Sequence, residues 1–228
     1  MHNSLIRVEL SSTLISILSA EQKSMKPVSE KCSGVILAGG MSKRLNGRDK
    51  AMIEVNGRRI LDRIHAVYSE IFSEIILVTN TPHAYLDWNM LMVTDLFPIR
   101  SSLTGIHAGL FYTSRPFAFV SACDAPFLKQ ELVHLLISQA RPGADAVMPE
   151  TANGLEPLCA VYSKSCLNNI ESHIRQEKLK IQKVFHKSRI NRISEARLRK
   201  TDPDLISFIN INTPEDLLRV ESLEKESL

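Results

Sequence analysis

The amino-acid sequence predicts an α/β fold with a single doubly wound, mostly parallel sheet. Three observations lead there. Short apolar runs of strand length alternate with stretches in which apolar residues recur at helical spacing. The runs lead into a glycine or a polar residue, as at Gly39, Asn80, Asp95 and Asp124. No internal repeat or low-complexity linker divides the 228 residues. Strand and helix in alternation imply parallel strands joined by right-handed crossovers.

Taken in order, Val35-Ile36-Leu37 reads as the first buried strand. Residues 51–55, followed by Asn56-Gly57, read as a short extended piece ending in a turn. Ile60, Leu61, Ile64, Val67, Tyr68, Ile71 and Phe72 predict a helix by their spacing. Residues 74–79 and 91–94 are the next two strands. After a polar loop over 96–104, Gly105 is expected to open a helix carrying Ile106, Leu110 and Phe111. Residues 117–122 form a fourth strand, and a helix bearing Leu128, Leu132, Leu135 and Leu136 leads to a strand over 144–148. In the last third, 155–162 reads as a strand broken by Pro157, 163–176 as a helix, and 178–201 as a basic, less periodic region. The run 206–212 precedes Thr213, an expected N-cap, and Pro214, an expected first helical position.

Composition narrows the function classes. Lys plus Arg total 28 against 25 for Asp plus Glu, and a net charge of +3 is too mild for nucleic-acid binding by bulk electrostatics. No apolar run approaches the roughly 20 residues of a membrane span, so a soluble protein with no membrane partner is expected. Cys32, Cys123, Cys159 and Cys166 form no C-x-x-C pair and have no histidine at zinc-finger spacing. They read as reduced, buried thiols of a cytoplasmic protein. Residues 1–31 lack the basic start and small-residue cleavage site of a signal peptide and are expected to be an N-terminal extension, flexible or packed on a neighbour. Residues 32–228 are expected to be one domain.

The most informative stretch is 37–50, where the first strand leaves into a loop with three glycines and four basic side chains. Glycine lets main-chain N–H groups approach phosphate oxygens while Arg and Lys neutralise their charge. The stretch contains neither G-x-x-x-x-G-K-[ST] nor G-x-G-x-x-G, which argues against a P-loop ATPase and a dinucleotide-binding dehydrogenase. On composition alone a solvated basic turn is equally compatible. In an open parallel sheet, ligands sit outside the carboxyl ends of the strands, so Gly39 and Gly40, Asn80, Asp95, Asp124 and the Asn210/Asn212 pair are expected to share one crevice.

The motifs Leu37-Ala38-Gly39-Gly40, Arg44, Gly47, Asp49-Lys50, Cys123-Asp124-Ala125-Pro126-Phe127, Glu156-Pro157-Leu158 and Asn210-Ile211-Asn212-Thr213-Pro214-Glu215-Asp216 resemble those of the molybdenum cofactor guanylyltransferases. That family, the molybdopterin-guanine dinucleotide biosynthesis protein A group, lies in the GT-A-like nucleotidyltransferase superfamily, whose fold is Rossmann-like. The resemblance spans residues 33–220. It implies that Leu37, Ala38, Gly39 and Gly40 line the nucleotide, with Arg44 and Lys50 on its phosphates. It implies further that Asn80 and Asp95 contact the guanosine, that Gly105 lies near the nucleotide, and that Asp124 holds Mg2+. Glu156, Asn210 and Asn212 are implied on the substrate side, where Asn210 and Asn212 complete the metal and phosphate region or approach the pterin. The implied partners are GTP, molybdopterin, and cofactor-biosynthesis proteins or apo-molybdoenzymes. Two departures stand out: Arg44-Leu45-Asn46 in place of R-M-G, and Ser101-Ser102-Leu103-Thr104-Gly105 in place of G-P-L-A-G.

The implied reaction joins the molybdopterin phosphate to the α-phosphorus of GTP and releases pyrophosphate. A phosphate nucleophile is already ionised near neutral pH, so no general base is needed, and catalysis is positioning and charge stabilisation. Alternatives at this level are a cytidylyl- or sugar-phosphate nucleotidyltransferase of the same superfamily, or a non-catalytic nucleotide-binding cofactor chaperone.

Overall fold

The computed structural model describes residues 29–39, 48–185 and 189–226. Expectations for residues 1–28 therefore fall outside the described residues, as do those for Gly40, Arg44, Asn46 and Gly47. At the start of the described chain, Ser29 already bridges to Phe72, its N–H donating to Ile71 O at 2.7 Å.

The apolar run that begins the fold forms β1 (Cys32–Leu37). A short hairpin follows, β2 (Glu54–Val55) and β3 (Arg58–Arg59), turned through Asn56 and Gly57 at φ 47° and 75°. Positive φ at both central residues is what a two-residue hairpin turn requires, and Asn-Gly supplies it. Next come α1 (Ile60–Ile71), β4 (Ile75–Val78), β5 (Leu91–Val93), α2 (Ser102–Tyr112), β6 (Phe117–Ala122) and α3 (Gln130–Ser138). The last third contains β7 (Ala146–Thr151), β8 (Gly154–Leu155), β9 (Cys159–Ser163), α4 (Leu167–Arg175), α5 (Ile181–Val184), β10 (Ile190–Ser194), α6 (Glu195–Leu198) and α7 (Pro214–Glu226).

The main sheet runs β10-β7-β9-β6-β1-β4-β5, with β8 paired to β7. β1 lies in its interior, parallel to both β6 and β4. Alternation along the strands feeds two cores. Ile36, Leu77, Phe119, Val147 and Val161 face one side, with Leu61, Ile64, Tyr68, Leu132, Leu136 and Val220 from α1, α3 and α7. Val35, Ile76, Val78, Ala118, Val120, Met148 and Tyr162 face the other, against Leu103, Ile106, Ile170 and Ile174 from α2 and α4. Helices thus cover both faces, as near-continuous apolar strands demand. Each fully buried large side chain contributes roughly 1.5–3 kcal/mol. Close approach of both helix layers to β1 relies on two glycines. A Cβ at Gly34 would lie 2.4 Å from a Tyr68 ring carbon, and one at Gly109 only 2.5 Å from Val35 Cγ1.

The expected fold class is the observed one, with local differences. The helix expected to open at Gly105 begins at Ser102, because Ser101 caps it: its hydroxyl accepts from Thr104 N at 3.1 Å, and Thr104 Oγ1 accepts from Ser101 N at 3.0 Å. That capping box occupies the departure from G-P-L-A-G and replaces proline's rigidity with hydrogen bonds. The single strand expected over 155–162 is two, β8 and β9, both antiparallel to β7. The basic region contains β10, parallel to β7. The 206–212 run holds a short 3-10 helix at Ile206–Phe208, entered through Leu205 at φ 54°. Thr213 caps α7 as expected, its Oγ1 accepting from Asp216 N at 3.2 Å.

Candidate active site

The crossovers leave the carboxyl ends of β6, β1, β4 and β5 side by side. Ala38 N donates to Val78 O at 2.9 Å, Thr79 N to Val93 O at 2.8 Å, and Cys123 N to Leu37 O at 3.2 Å. Along that rim the chain exits at Asp124, Gly39, Asn80 and Asp95, in that spatial order. The antiparallel β9 extends it, because its first residue, Cys159, pairs with Ser121, and Ala122 N donates to Leu158 O at 3.2 Å. The loop carrying Glu156 therefore flanks Asp124 on the side away from Asn80.

Lys50 is the hub. It opens a 3-10 turn, Lys50–Met52, capped by Asp49, whose Oδ1 accepts from Ala51 N at 3.0 Å. Its Nζ donates to Asp124 Oδ2 at 2.9 Å and to Asn212 Oδ1 at 2.5 Å. The Lys50 and Asp124 side chains are 17% and 19% exposed, open enough for a ligand and enclosed enough to hold one geometry. Asp124 and Asn212 are themselves tied: Ile211 N donates to Asp124 O at 2.8 Å. The N–H groups of Asn212 and Thr213 both donate to Asp216 Oδ2 at 2.9 Å. Those N–H donors hold the Asp216 carboxyl below its ordinary range, so the cap stays ionised. Asn210 is exposed and makes no hydrogen bond among the described residues; Asn212 is the member of the pair brought to Lys50.

On the other flank, Asn80 Nδ2 donates to Asp95 Oδ2 at 2.8 Å, and Asp95 N donates to Asn80 Oδ1 at 3.3 Å. The two form a closed pair that leaves Asp95 Oδ1 without a partner among the described residues. Ala38 is fully buried, so only its main chain is available to a ligand, and Leu37 is half-buried with its side chain packed on the core. A Cβ on Gly39 would meet Asn80 N and Thr79 Cα at 3.9 Å, ordinary contact, so the fold itself does not demand glycine there. Gly105 is buried behind the rim, where a Cβ would stand 3.2 Å from Leu37 Cδ2. Glu156 is half-buried and accepts from Thr151 Oγ1 at 3.1 Å; burial raises its carboxyl, against that hydrogen bond.

Other side chains drop out of the site. Burial, then the charges of Asp124 and Asp49, push the Cys123 thiol up to about 12, so it is protonated and inert. His107 is buried in α2, its ring 5.0 Å from that of Phe97 and its Nε2 3.9 Å from Glu171. In the basic region, Arg189, Arg192 and Arg199 pair with Asp145, Glu150 and Glu195. Sequence reasoning gave Asp49 no role of its own and passed over Tyr85, whose hydroxyl donates to Asp49 Oδ2. Adjacency to Lys50 was the one signal for Asp49; Tyr85 had none.

Comparison with known proteins fits this geometry. The family model described as "MobA-like NTP transferase domain" matches residues 34–193. A molybdenum cofactor guanylyltransferase of Desulfosudis oleivorans is 48% identical over 193 residues, covering 85% of this chain and 96% of the relative. The chain belongs to the MobA-like NTP transferase family. A second relative in it, a probable molybdenum cofactor guanylyltransferase of Pelotomaculum thermopropionicum, is 36% identical over 86% of this chain and 95% of its own length. The crystal structure of molybdopterin-guanine dinucleotide biosynthesis protein A from Archaeoglobus fulgidus superposes with a TM-score of 0.76 at 29% identity, covering 85% of this chain and 99% of that one. Members of this family are nucleotidyltransferases, enzymes that generally use a divalent metal. Among the described residues no helix is long and apolar enough to cross a membrane.

Proposed function

We propose that this chain transfers GMP from GTP to the phosphate of molybdopterin, releasing pyrophosphate and forming the guanine dinucleotide cofactor. The observation that carries the mechanism is the convergence of Lys50, Asp124 and Asn212 beside the Gly39 rim. The relatives, all named for guanylyl transfer, favour this over cytidylyl or sugar-phosphate transfer. A non-catalytic chaperone has no use for an ammonium held between a carboxylate and an amide at the carboxyl end of the central strands.

In this reading the triphosphate lies over the main chain of Leu37–Gly39, with the guanosine toward Asn80 and Asp95. The acceptor pterin phosphate enters from the Glu156 side. Its oxygen forms a bond to the α-phosphorus as the bond to the β-phosphate oxygen breaks. Lys50 then meets charge gathering on the departing pyrophosphate, a fixed donor aimed where charge develops. Asn212, anchored by Asp216, keeps the ammonium in place.

The metal fits the residues present. Among the described residues no group of three or more His, Cys, Asp or Glu side chains forms an all-protein cage. Mg2+ suits such a site, because it binds through one or two carboxylates plus substrate phosphates and water. Asp124 is the carboxylate that would hold it, and Mg2+ would neutralise phosphate charge there. The nucleotidyltransferase domain then comprises residues 32–228, and with four free, buried cysteines we place it in the cytoplasm.

Pyrophosphate release tests the assignment. Removing one preorganised donor costs about 10² to 10³ in rate. Lys50→Ala and Asp124→Ala proteins with wild-type melting curves are expected to turn over at least about 10²-fold more slowly; near-wild-type turnover in either contradicts the site.

A further inference from the structure

We infer that Tyr85 is a positioning residue for Lys50, acting through the Asp49 carboxylate. This rests on the role proposed for Lys50 and adds the device that aims it. A lysine ammonium rides on a flexible four-carbon stem, so two acceptors at its tip define its place only if the backbone at its base is fixed. Asp49 fixes that base. One carboxylate oxygen caps the turn that Lys50 opens, and the other accepts the Tyr85 hydroxyl.

Tyr85 is a rigid anchor. It is fully buried and ends a 3-10 turn, Pro82–Tyr85, that follows the Asn80 segment. Its ring centroid lies 6.0 Å from that of Trp88. Trp88 Nε1 donates to Asp62 Oδ1 at 3.0 Å, and the Arg59 guanidinium covers the Trp88 ring at 4.4 Å. The strap that follows the base-side residue Asn80 is therefore bolted to α1, and its phenol reaches back to the residue before Lys50. Burial, with Asp49 beside it, raises the phenol's pKa, so the hydroxyl stays a donor at working pH. Without that hydroxyl, Asp49 Oδ2 has no donor among the described residues. Its charge, one residue from Lys50, then competes with Asp124 for the ammonium.

The test is steady-state pyrophosphate release by the full chain with GTP, Mg2+ and molybdenum cofactor. Tyr85→Phe is expected to lower kcat about 10- to 100-fold, the scale of loss when the outer-shell hydrogen bond of a metal ligand is removed, with KM for GTP changed less than about two-fold. In a Lys50→Ala background the same change is expected to cost nothing more, because the group being aimed is gone. Multiplicative losses in the double variant overturn the proposal, since a general structural defect acts with or without Lys50. Wild-type kcat in Tyr85→Phe overturns it alone if Lys50→Ala is slow; wild-type turnover in Lys50→Ala overturns the site assignment as well. If Tyr85→Phe does not fold, Asp49→Ser carries the same comparison, because serine still caps the turn but is too short to reach the phenol.

Discussion

Asp95 and His107 show how differently two polar residues near the same helix behave. Asp95 is held by Asn80 with one carboxylate oxygen turned to the amide and the other left to accept. Guanine presents N–H donors on its Watson–Crick edge, and a hydrogen bond from one of them to a charged acceptor such as the free Asp95 oxygen is worth about 1.5–3 kcal/mol. Asp95→Ala is expected to reduce the preference for GTP over CTP by about tenfold or more in kcat/KM; an unchanged ratio shows that Asp95 does not read the base. His107 titrates instead with stability. Burial, reinforced by Arg175 and opposed by Glu171, lowers its pKa from the ordinary 6.5. The folded state then binds fewer protons than the unfolded chain below that pH. Unfolding free energy should fall as pH drops through 6.5, and continue to fall until the lowered folded value is passed. His107→Gln should flatten that part of the profile in urea melts, while the slope above pH 6.5 stays the same.

Among the elements, α2 carries the clearest stability test. Its Ser101–Thr104 box satisfies end groups that proline and glycine would leave to geometry, and an N-cap is worth about 1 kcal/mol. Ser101→Ala is expected to lower the melting temperature by about 2–4 °C for a chain of this size, measured by thermal unfolding; no shift means the box is not holding the helix. Elements buried on two faces were legible in sequence. β4 is apolar throughout, β1 and β6 are apolar but for Ser33 and Ser121, and α1 repeats at helical spacing over its full length. β10 was hidden because only Ile190 and Ile193 of its five residues are buried and charge dominates its surroundings. In the run 206–212, Leu205 in the left-handed region leads into a short 3-10 turn that the sequence pattern did not mark. Within the site, Lys50, Asp124 and Asn212 were visible as motif residues. Tyr85 was invisible because its partner lies 36 residues earlier, a distance only the fold closes.

At the scale of the whole molecule, the sheet order gives one rim two flanks, one for each substrate of the proposed reaction. Parallel strands deliver Gly39, Asn80 and Asp95 to one flank, the nucleotide side of the proposed reaction, and the antiparallel β9 brings the Glu156 loop to the opposite flank. Asp124 and Lys50, joined at 2.9 Å, stand between them, where the proposed reaction puts the α-phosphorus. The measurement that tests this most directly is pyrophosphate release from GTP, CTP, UTP and ATP, each with Mg2+ and purified molybdenum cofactor. Release with GTP, dependent on the cofactor and much slower with the other three nucleotides, is the predicted result; faster release with CTP, or none with GTP, would contradict it.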